Sequence, residues 1–149
     1  MSPIRTALTL TSLLIVVQFH CRAAEESCDN PNLSHSDQVD CLVREYKATD
    51  SLLQQKMTQI LKNASTVDVG FSRPEAEKAQ REKIILAIRE ADKHWRATVE
   101  TECGVLVEAS FGTGNGSMDA SLECRISRTS ERLKQLSVAD AYSWLWRKR

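Results

Sequence analysis

The sequence lacks the features on which several functional classes depend. Aromatic residues make up only 5% of the 149 residues, and the 20 lysines and arginines are balanced by 20 aspartates and glutamates. With few aromatic residues and no basic excess, the chain lacks the electrostatic footprint of a nucleic-acid-binding protein. It also has no Cys-x-x-Cys pair, no nucleophile elbow and no phosphate-binding loop. His94 could act as a general base, but its neighbours on the helix are ordinary exposed charged residues and none of these catalytic motifs accompanies it. We therefore predict that the protein is not an enzyme.

The longest apolar run, residues 7–17, lies close to the N-terminus and follows a single arginine. It is shorter than the roughly 20 residues of a membrane-spanning helix and is typical of a secretory signal peptide. We predict cleavage near Ala23, which would deliver the mature chain to the periplasm or outside the cell. Removing residues 1–23 takes away two arginines and no acidic residue, leaving 18 basic against 20 acidic residues. A lipoprotein signal acylated at Cys21 is the alternative, but the three residues before it are not small.

Apolar residues recur every three or four positions in two long segments, which is the spacing of an amphipathic helix. The first segment runs from about residue 35 to residue 63, and Ser34 followed by Asp37 is a helix start signal. The second covers about residues 74–103 and begins with a proline, and Ser72 is predicted to be its N-cap. Two helices of equal length joined by a short loop form an antiparallel hairpin.

A third segment with helical spacing covers about residues 119–138 and must pack on the hairpin to bury its apolar stripe. Residues 108–118 before it contain three of the five glycines, so a loop is predicted there. The predicted fold is therefore all-α, a small three-helix antiparallel bundle with two disulfides. We predict no membrane span after residue 23, where the mature chain begins.

Four cysteines would remain after cleavage of the signal, namely Cys28, Cys41, Cys103 and Cys124. An even number in an exported chain predicts two disulfides, and an up-down-up bundle places all four thiols near one end. Three pairings are open, and the shortest loops favour Cys28 with Cys41 and Cys103 with Cys124. A metal site of four thiolates and a histidine is the alternative. Because export favours oxidation, we predict neither a metal nor a cofactor.

We predict one helical domain over residues 24–140, followed by a tail of residues 141–149. The tail places Tyr142, Trp144 and Trp146 beside a basic end. Such a segment suits an interface with a partner or a membrane surface. Packing of Trp144 against the bundle is the preferred interpretation.

The spacing of certain residues along all three helices matches a known pattern. These residues are Cys41, Tyr46, Asp50, Leu53 and Gln54 in the first helix, Ala91, Asp92, Trp95 and Cys103 in the second, and Cys124, Thr129, Arg132 and Leu136 in the third. Over roughly residues 28–136 the chain resembles the LprI-like family of lysozyme inhibitors, which are small exported helical domains. Asp92, Val99 and Met57 replace the glutamine, arginine and tyrosine that are common in the family. The resemblance implies inhibition of lysozyme for at least some members.

The residues that carry the resemblance also have a structural interpretation. Tyr46, Asp50 and Trp95 could form a polar and aromatic recognition site, but Tyr46 and Trp95 lie on the apolar stripes and are predicted to pack in the core. Asp50 lies beside its stripe, where an unpaired carboxylate would be costly to bury. We therefore predict an ion pair between Asp50 and Arg132.

The glycine-rich loop is the predicted contact with a partner protein, because its small residues could approach a narrow cleft closely. Its residues are Phe111, Gly112, Gly114, Asn115, Gly116 and Ser117. A simple crossing between helices explains the loop equally well. We predict an exported protein-binding domain that inhibits lysozyme by steric occlusion. The alternative is a periplasmic scaffold protein of the cell envelope with no lysozyme activity.

Overall fold

A computed structural model describes residues 27–112, 114–137 and 142, and within these residues the structure is helical and has no strand. The helices are α1 (His35–Thr66), α2 (Pro74–Glu100), a π-helical segment (Thr101–Leu106), α3 (Val107–Phe111) and α4 (Asn115–Ser137). Because α2, the π-helical segment and α3 follow one another without a break, they form one rod. The described chain is therefore a bundle of three helical rods, as predicted.

Helix α1 begins at the predicted start signal. The backbone N–H of Asp37 donates to the hydroxyl of Ser34 at 3.2 Å, and this hydroxyl donates to the Asp37 carboxylate at 2.6 Å. An N-cap of this kind satisfies a backbone donor that has no partner inside the helix. The helix continues to Thr66, three residues beyond its predicted end.

Helix α2 begins at Pro74 as predicted, but the prediction that Ser72 caps it is wrong. The N-cap is Arg73, and no side chain makes a capping hydrogen bond there. Proline in the first turn has no N–H to satisfy, and Glu75 and Glu77 place negative charge where the helix dipole favours it. These two features start the helix without a side-chain cap.

The three rods run up, down and up. His35 at the start of α1 lies 3.4 Å from Asp119 near the start of α4, so these two helices run parallel. Helix α2 is antiparallel to both, because Arg96 near the end of α2 pairs with Asp50 in the middle of α1. At the other end of the hairpin, Arg81 donates to the carbonyl of Val67 at 3.2 Å and closes the connection between α1 and α2.

The main apolar cluster lies in the half of the bundle where α1 ends and α2 begins. Its buried residues are Leu53, Met57, Ile60, Ala64, Ile84, Ile88 and Leu136. Trp95 is half-buried and packs against this cluster, whereas Ala91 on the same predicted stripe is exposed. Thr129 is buried as well, and its hydroxyl donates to the carbonyl of Arg125 at 2.7 Å. That bond satisfies the only polar group that Thr129 adds to the interior.

The favoured disulfide pairing is confirmed. Cys28 bonds to Cys41 and Cys103 bonds to Cys124, with Cα–Cα distances of 5.6 and 5.4 Å. The second disulfide joins the π-helical segment to α4 and closes a loop between residues 21 positions apart. In the chain-entropy description, such a loop stabilises the fold by roughly 3 kcal/mol.

The prediction of a loop over residues 108–118 is wrong for most of its length. Helix α3 continues to Phe111, and α4 already begins at residue 115. Gly112 ends α3 with a positive φ of 76°, and its N–H donates to the carbonyl of Glu108 at 2.8 Å. Glycine adopts this backbone conformation at little cost, so a single residue stops the helix, and only three residues separate the end of α3 from the start of α4.

Two sequence predictions lie outside the described residues, namely the signal peptide with its cleavage near Ala23 and the packing of Trp144. From the tail, Tyr142 is described and is half-buried against the apolar cluster. Its hydroxyl accepts a hydrogen bond from Arg132 at 3.1 Å. Among the helices that the structure describes, none combines the length and the apolar character needed to cross a bilayer.

Two neighbouring leucines of α1 test the assignment of the core. Leu53 is 0% exposed and Leu52 is 52% exposed. We expect Leu53→Ala to lower the free energy of unfolding by about 2–5 kcal/mol, because it leaves a cavity. The control Leu52→Ala should change it by less than about 0.5 kcal/mol. Urea denaturation measures both, and equal losses would show that α1 is rotated from the described position.

Candidate protein-binding site

The end of the bundle beyond the Cys103–Cys124 disulfide exposes large apolar side chains. They are Val105 at 63%, Leu106 at 56%, Phe111 at 66% and Met118 at 51%. These four residues, which we call the apolar tip, come from the π-helical segment, α3 and the first turn of α4. Among the described residues they are four of the seven exposed large hydrophobic side chains, although they span only 14 positions. Such a concentration is typical of a surface that binds another molecule.

Ion pairs hold the base of the apolar tip beside the disulfide. Arg125 of α4 donates to both carboxylate oxygens of Glu100, at 2.6 and 3.0 Å, which is a bidentate arrangement. Arg128, one turn further along α4, pairs with Glu102 of the π-helical segment. Together with the disulfide, these pairs attach the rod of α2 and α3 to α4 immediately below the tip.

A glycine makes room for the bidentate pair. A Cβ atom at Gly104 would lie 3.1 Å from Glu100 Oε1 and 3.4 Å from Arg125 Nη2. The first distance is shorter than an ordinary van der Waals contact and the second is at its lower limit. A side chain at this position would therefore press on the ion pair. The hydrogen bonds with Glu100 raise the pKa of the Arg125 guanidinium against the opposing effect of burial, and the hydroxyl of Tyr46 contributes in the same direction. Tyr46 thereby links α1 to the same cluster.

The predicted contact residues all lie at this end of the bundle. Phe111 is the last residue of α3, and Gly112 and Gly114 belong to the connection that follows it. Residues 115–117 lie in the first turn of α4, so the predicted contact residues belong to two helix ends and the short connection between them. Val105 and Leu106 were not among the predicted contact residues. They follow α2 directly, and the spacing of seven residues from Val99 predicts an inward position for Leu106, so no local signal in the sequence indicated their exposure.

A second surface feature is an open groove of about 840 Å³ beside the Cys28–Cys41 disulfide. It lies between the segment before α1, the first turns of α1 and the middle of α4. Its carboxylates come from Asp29, Asp37, Asp40, Glu45 and Glu123, and we call it the acidic groove. Four of these residues lie within residues 29–45, but Glu123 comes from α4, so the groove exists only when α4 packs beside the start of α1. In the part of the chain that the structure describes, no three His, Cys, Asp or Glu side chains are grouped as metal ligands would be.

A polar network connects the rods in the middle of the bundle. It consists mostly of residues that carry the family resemblance, together with Arg96. The prediction that Asp50 pairs with Arg132 is wrong, because Asp50 accepts from Arg96 Nη1 at 3.0 Å. Arg96 Nε also donates to Asp92 at 3.1 Å, within α2. Burial alone would lower the pKa of the Arg96 guanidinium, but the bonds to these two carboxylates outweigh burial and raise it.

Trp95 lies between two cations in this network. The guanidinium carbons of Arg96 and Arg132 are 6.0 and 5.8 Å from the centre of its ring. At these distances the ring faces attract the positive charges. Arg132 therefore contributes through Trp95 and Tyr142, and the network connects all three rods without presenting a reactive group.

The comparisons with known proteins bear on these residues directly. The family model described as lysozyme inhibitor LprI matches residues 28–136. The match includes both disulfides, the apolar tip and all of the polar network except Tyr142. Searches of curated proteins and of solved structures found no match.

The position of Arg96 predicts the outcome of a double-mutant cycle. We expect Asp50→Asn and Arg96→Gln to show a coupling free energy of about 1 kcal/mol, because each removes the same ion pair. Asp50→Asn with Arg132→Gln serves as the control pair and should be additive. Thermal or urea unfolding of the six proteins measures both values, and coupling only in the control pair would support the original prediction.

The Glu100–Arg125 pair predicts a dependence of stability on pH. The hydrogen bond from Arg125 lowers the pKa of the Glu100 carboxyl below its ordinary value of 4.5. The contribution of the pair is therefore present above pH 4.5 and is lost as the pH falls through the lowered pKa. Because Glu100 is largely exposed, the contribution is less than about 1 kcal/mol.

Glu100→Gln should accordingly unfold more easily than the wild type at pH 7, and the difference should disappear in strong acid. Urea unfolding between pH 7 and pH 2 provides the measurement. Glu108→Gln, which changes an exposed glutamate of α3, is the matched control and should show no such difference. A constant difference for Glu100→Gln at every pH would contradict the assignment.

Proposed function

Since the chain belongs to the lysozyme inhibitor LprI family, we propose that it binds lysozyme and inhibits it by covering the substrate cleft. The observation that carries this proposal is the family match over residues 28–136. The matched region contains every disulfide and helix described here, apart from the last residue of α4. Support for the function therefore comes from the same residues that build the fold.

The apolar tip is the surface that we propose to contact lysozyme. Apolar and aromatic side chains at the centre of an interface contribute most of its binding free energy, and Phe111 is the aromatic residue of this surface. The disulfide and the two ion pairs below the tip fix its position before binding. A preformed surface loses less conformational entropy on association than a flexible loop of the same composition.

Steric occlusion requires no catalytic group in the inhibitor. Lysozyme holds a polysaccharide across two carboxyl groups in its cleft, and a protein that fills this space excludes the substrate. The turn at Gly112 and Gly114 suits this role because a Cβ atom at either residue would meet nothing within 4 Å.

Export is the second part of the proposal. Disulfides form and persist in oxidising compartments such as the periplasm or the extracellular space. The two disulfides and the family match both support an exported protein. The apolar run at residues 7–17 would serve as the signal peptide, with cleavage near Ala23. Periplasmic or secreted protein would meet lysozyme at the cell wall.

The alternative function is a binding protein of the cell envelope that does not inhibit lysozyme. The acidic groove favours this alternative, because its carboxylates could receive the basic side chains of another protein. A test of the proposed function must therefore compare the groove with the apolar tip.

A turbidity assay of cell-wall lysis by lysozyme provides this comparison, using purified protein without residues 1–23. We expect the wild type to slow lysis at micromolar concentration and Phe111→Ser to weaken inhibition about tenfold or more. Phe111 is exposed, so its substitution should leave the melting temperature unchanged. Leu52→Ser, at an exposed leucine far from the tip in sequence, is the matched control and should inhibit like the wild type.

Asp40→Asn combined with Glu123→Gln tests the acidic groove in the same assay and should inhibit like the wild type. Loss of inhibition in this variant, with full inhibition by Phe111→Ser, would move the contact surface from the tip to the groove. A wild-type protein that does not slow lysis at micromolar concentration would reject lysozyme inhibition and favour the alternative function.

A further inference from the structure

The π-helical segment changes which residues of the rod face the bundle. Val99 and Cys103 are 7% and 0% exposed and mark the inward face of the rod. On an uninterrupted α-helix, the residue seven positions after Val99 returns to within about 20° of its direction. That residue is Leu106, which would then be buried. Instead Leu106 is 56% exposed, and the next residue, Val107, is half-buried.

The geometry of a π-helix accounts for this change. Its hydrogen bonds run from residue i to residue i+5, so each turn contains more residues than a turn of α-helix. The inward position therefore moves from Leu106 to Val107. Val105 and Leu106 both lie on the outer side of the widened turn, two and three residues after Cys103.

This arrangement is unfavourable for the isolated chain. A plain α-helix would bury Leu106, and π-helical turns are rare and occur often at functional sites. The disulfide fixes Cys103 inward, and Gly104 leaves space for the Glu100–Arg125 pair within the same segment. The fold thus holds in place a geometry that exposes two apolar side chains at the end of the bundle that also carries Phe111 and Met118.

We propose that the π-helical segment is a positioning element of the lysozyme-binding surface and that Val105 and Leu106 are contact residues turned outward by it. This inference rests on the proposed function and deepens it. The occupant of the surface is lysozyme, because Val105 and Leu106 extend the apolar tip that already carries the proposed contact. The glycine-rich turn would then be one edge of a broader surface on three helical elements.

Neighbouring residues in the segment provide the test. Leu106→Ser should leave the melting temperature unchanged and weaken inhibition of lysozyme about tenfold. Val107→Ser should lower the melting temperature, because Val107 occupies the inward position. Val105→Ser should behave like Leu106→Ser. Leu86→Ser, at a leucine of α2 that is 60% exposed, is the matched control and should change neither property.

Two results would overturn this inference alone. A larger fall in melting temperature for Leu106→Ser than for Val107→Ser would show that the rod continues as a plain α-helix. Full inhibition by both Val105→Ser and Leu106→Ser, with weakened inhibition by Phe111→Ser, would show that the segment does not contact lysozyme. A wild-type protein without inhibitory activity would overturn the contact role together with the proposed function, while the melting comparison would still decide the register.

Discussion

The disulfide between Cys103 and Cys124 is the constraint on which the proposed binding end depends. The main apolar cluster takes its buried residues from the second half of α1, the first half of α2 and the end of α4. The described tip has no comparable cluster beneath it and is joined to the bundle by this cross-link and by ion pairs. The main apolar cluster therefore stabilises one half of the molecule, whereas in the other half covalent and ionic links add to the burial of a few side chains such as Leu42 and Val99.

The polar residues of the family pattern connect the two halves. Asp50 and Arg96 join α1 to α2, and Arg132 reaches Trp95 and Tyr142 from α4. Each of these contacts uses a group that would be costly to leave unpaired at a half-buried position. The pattern residues in the middle of the bundle are thus explained by contacts between helices. The exposed tip is left as the candidate binding surface.

Much of the fold could be predicted from the sequence because its signals are local. Helical spacing located the three rods, Ser34 marked the start of α1, and loop length selected the correct disulfide pairing. Features that depend on how the rods are rotated against one another could not be predicted. The partner of Asp50, the acidic groove and the π-helical segment all belong to this group. The predicted loop was too long because three closely spaced glycines were all expected to interrupt helical structure. Only Gly112 ends a helix with a positive φ, and Gly116 lies within α4.

The unequal distribution of hydrophobic burial determines how the molecule responds to reduction. With free thiols, the main apolar cluster would still hold one half of the bundle together, whereas the end that carries Val105, Leu106 and Phe111 would lose its covalent link to α4. The candidate binding surface would therefore be complete only in an oxidising environment.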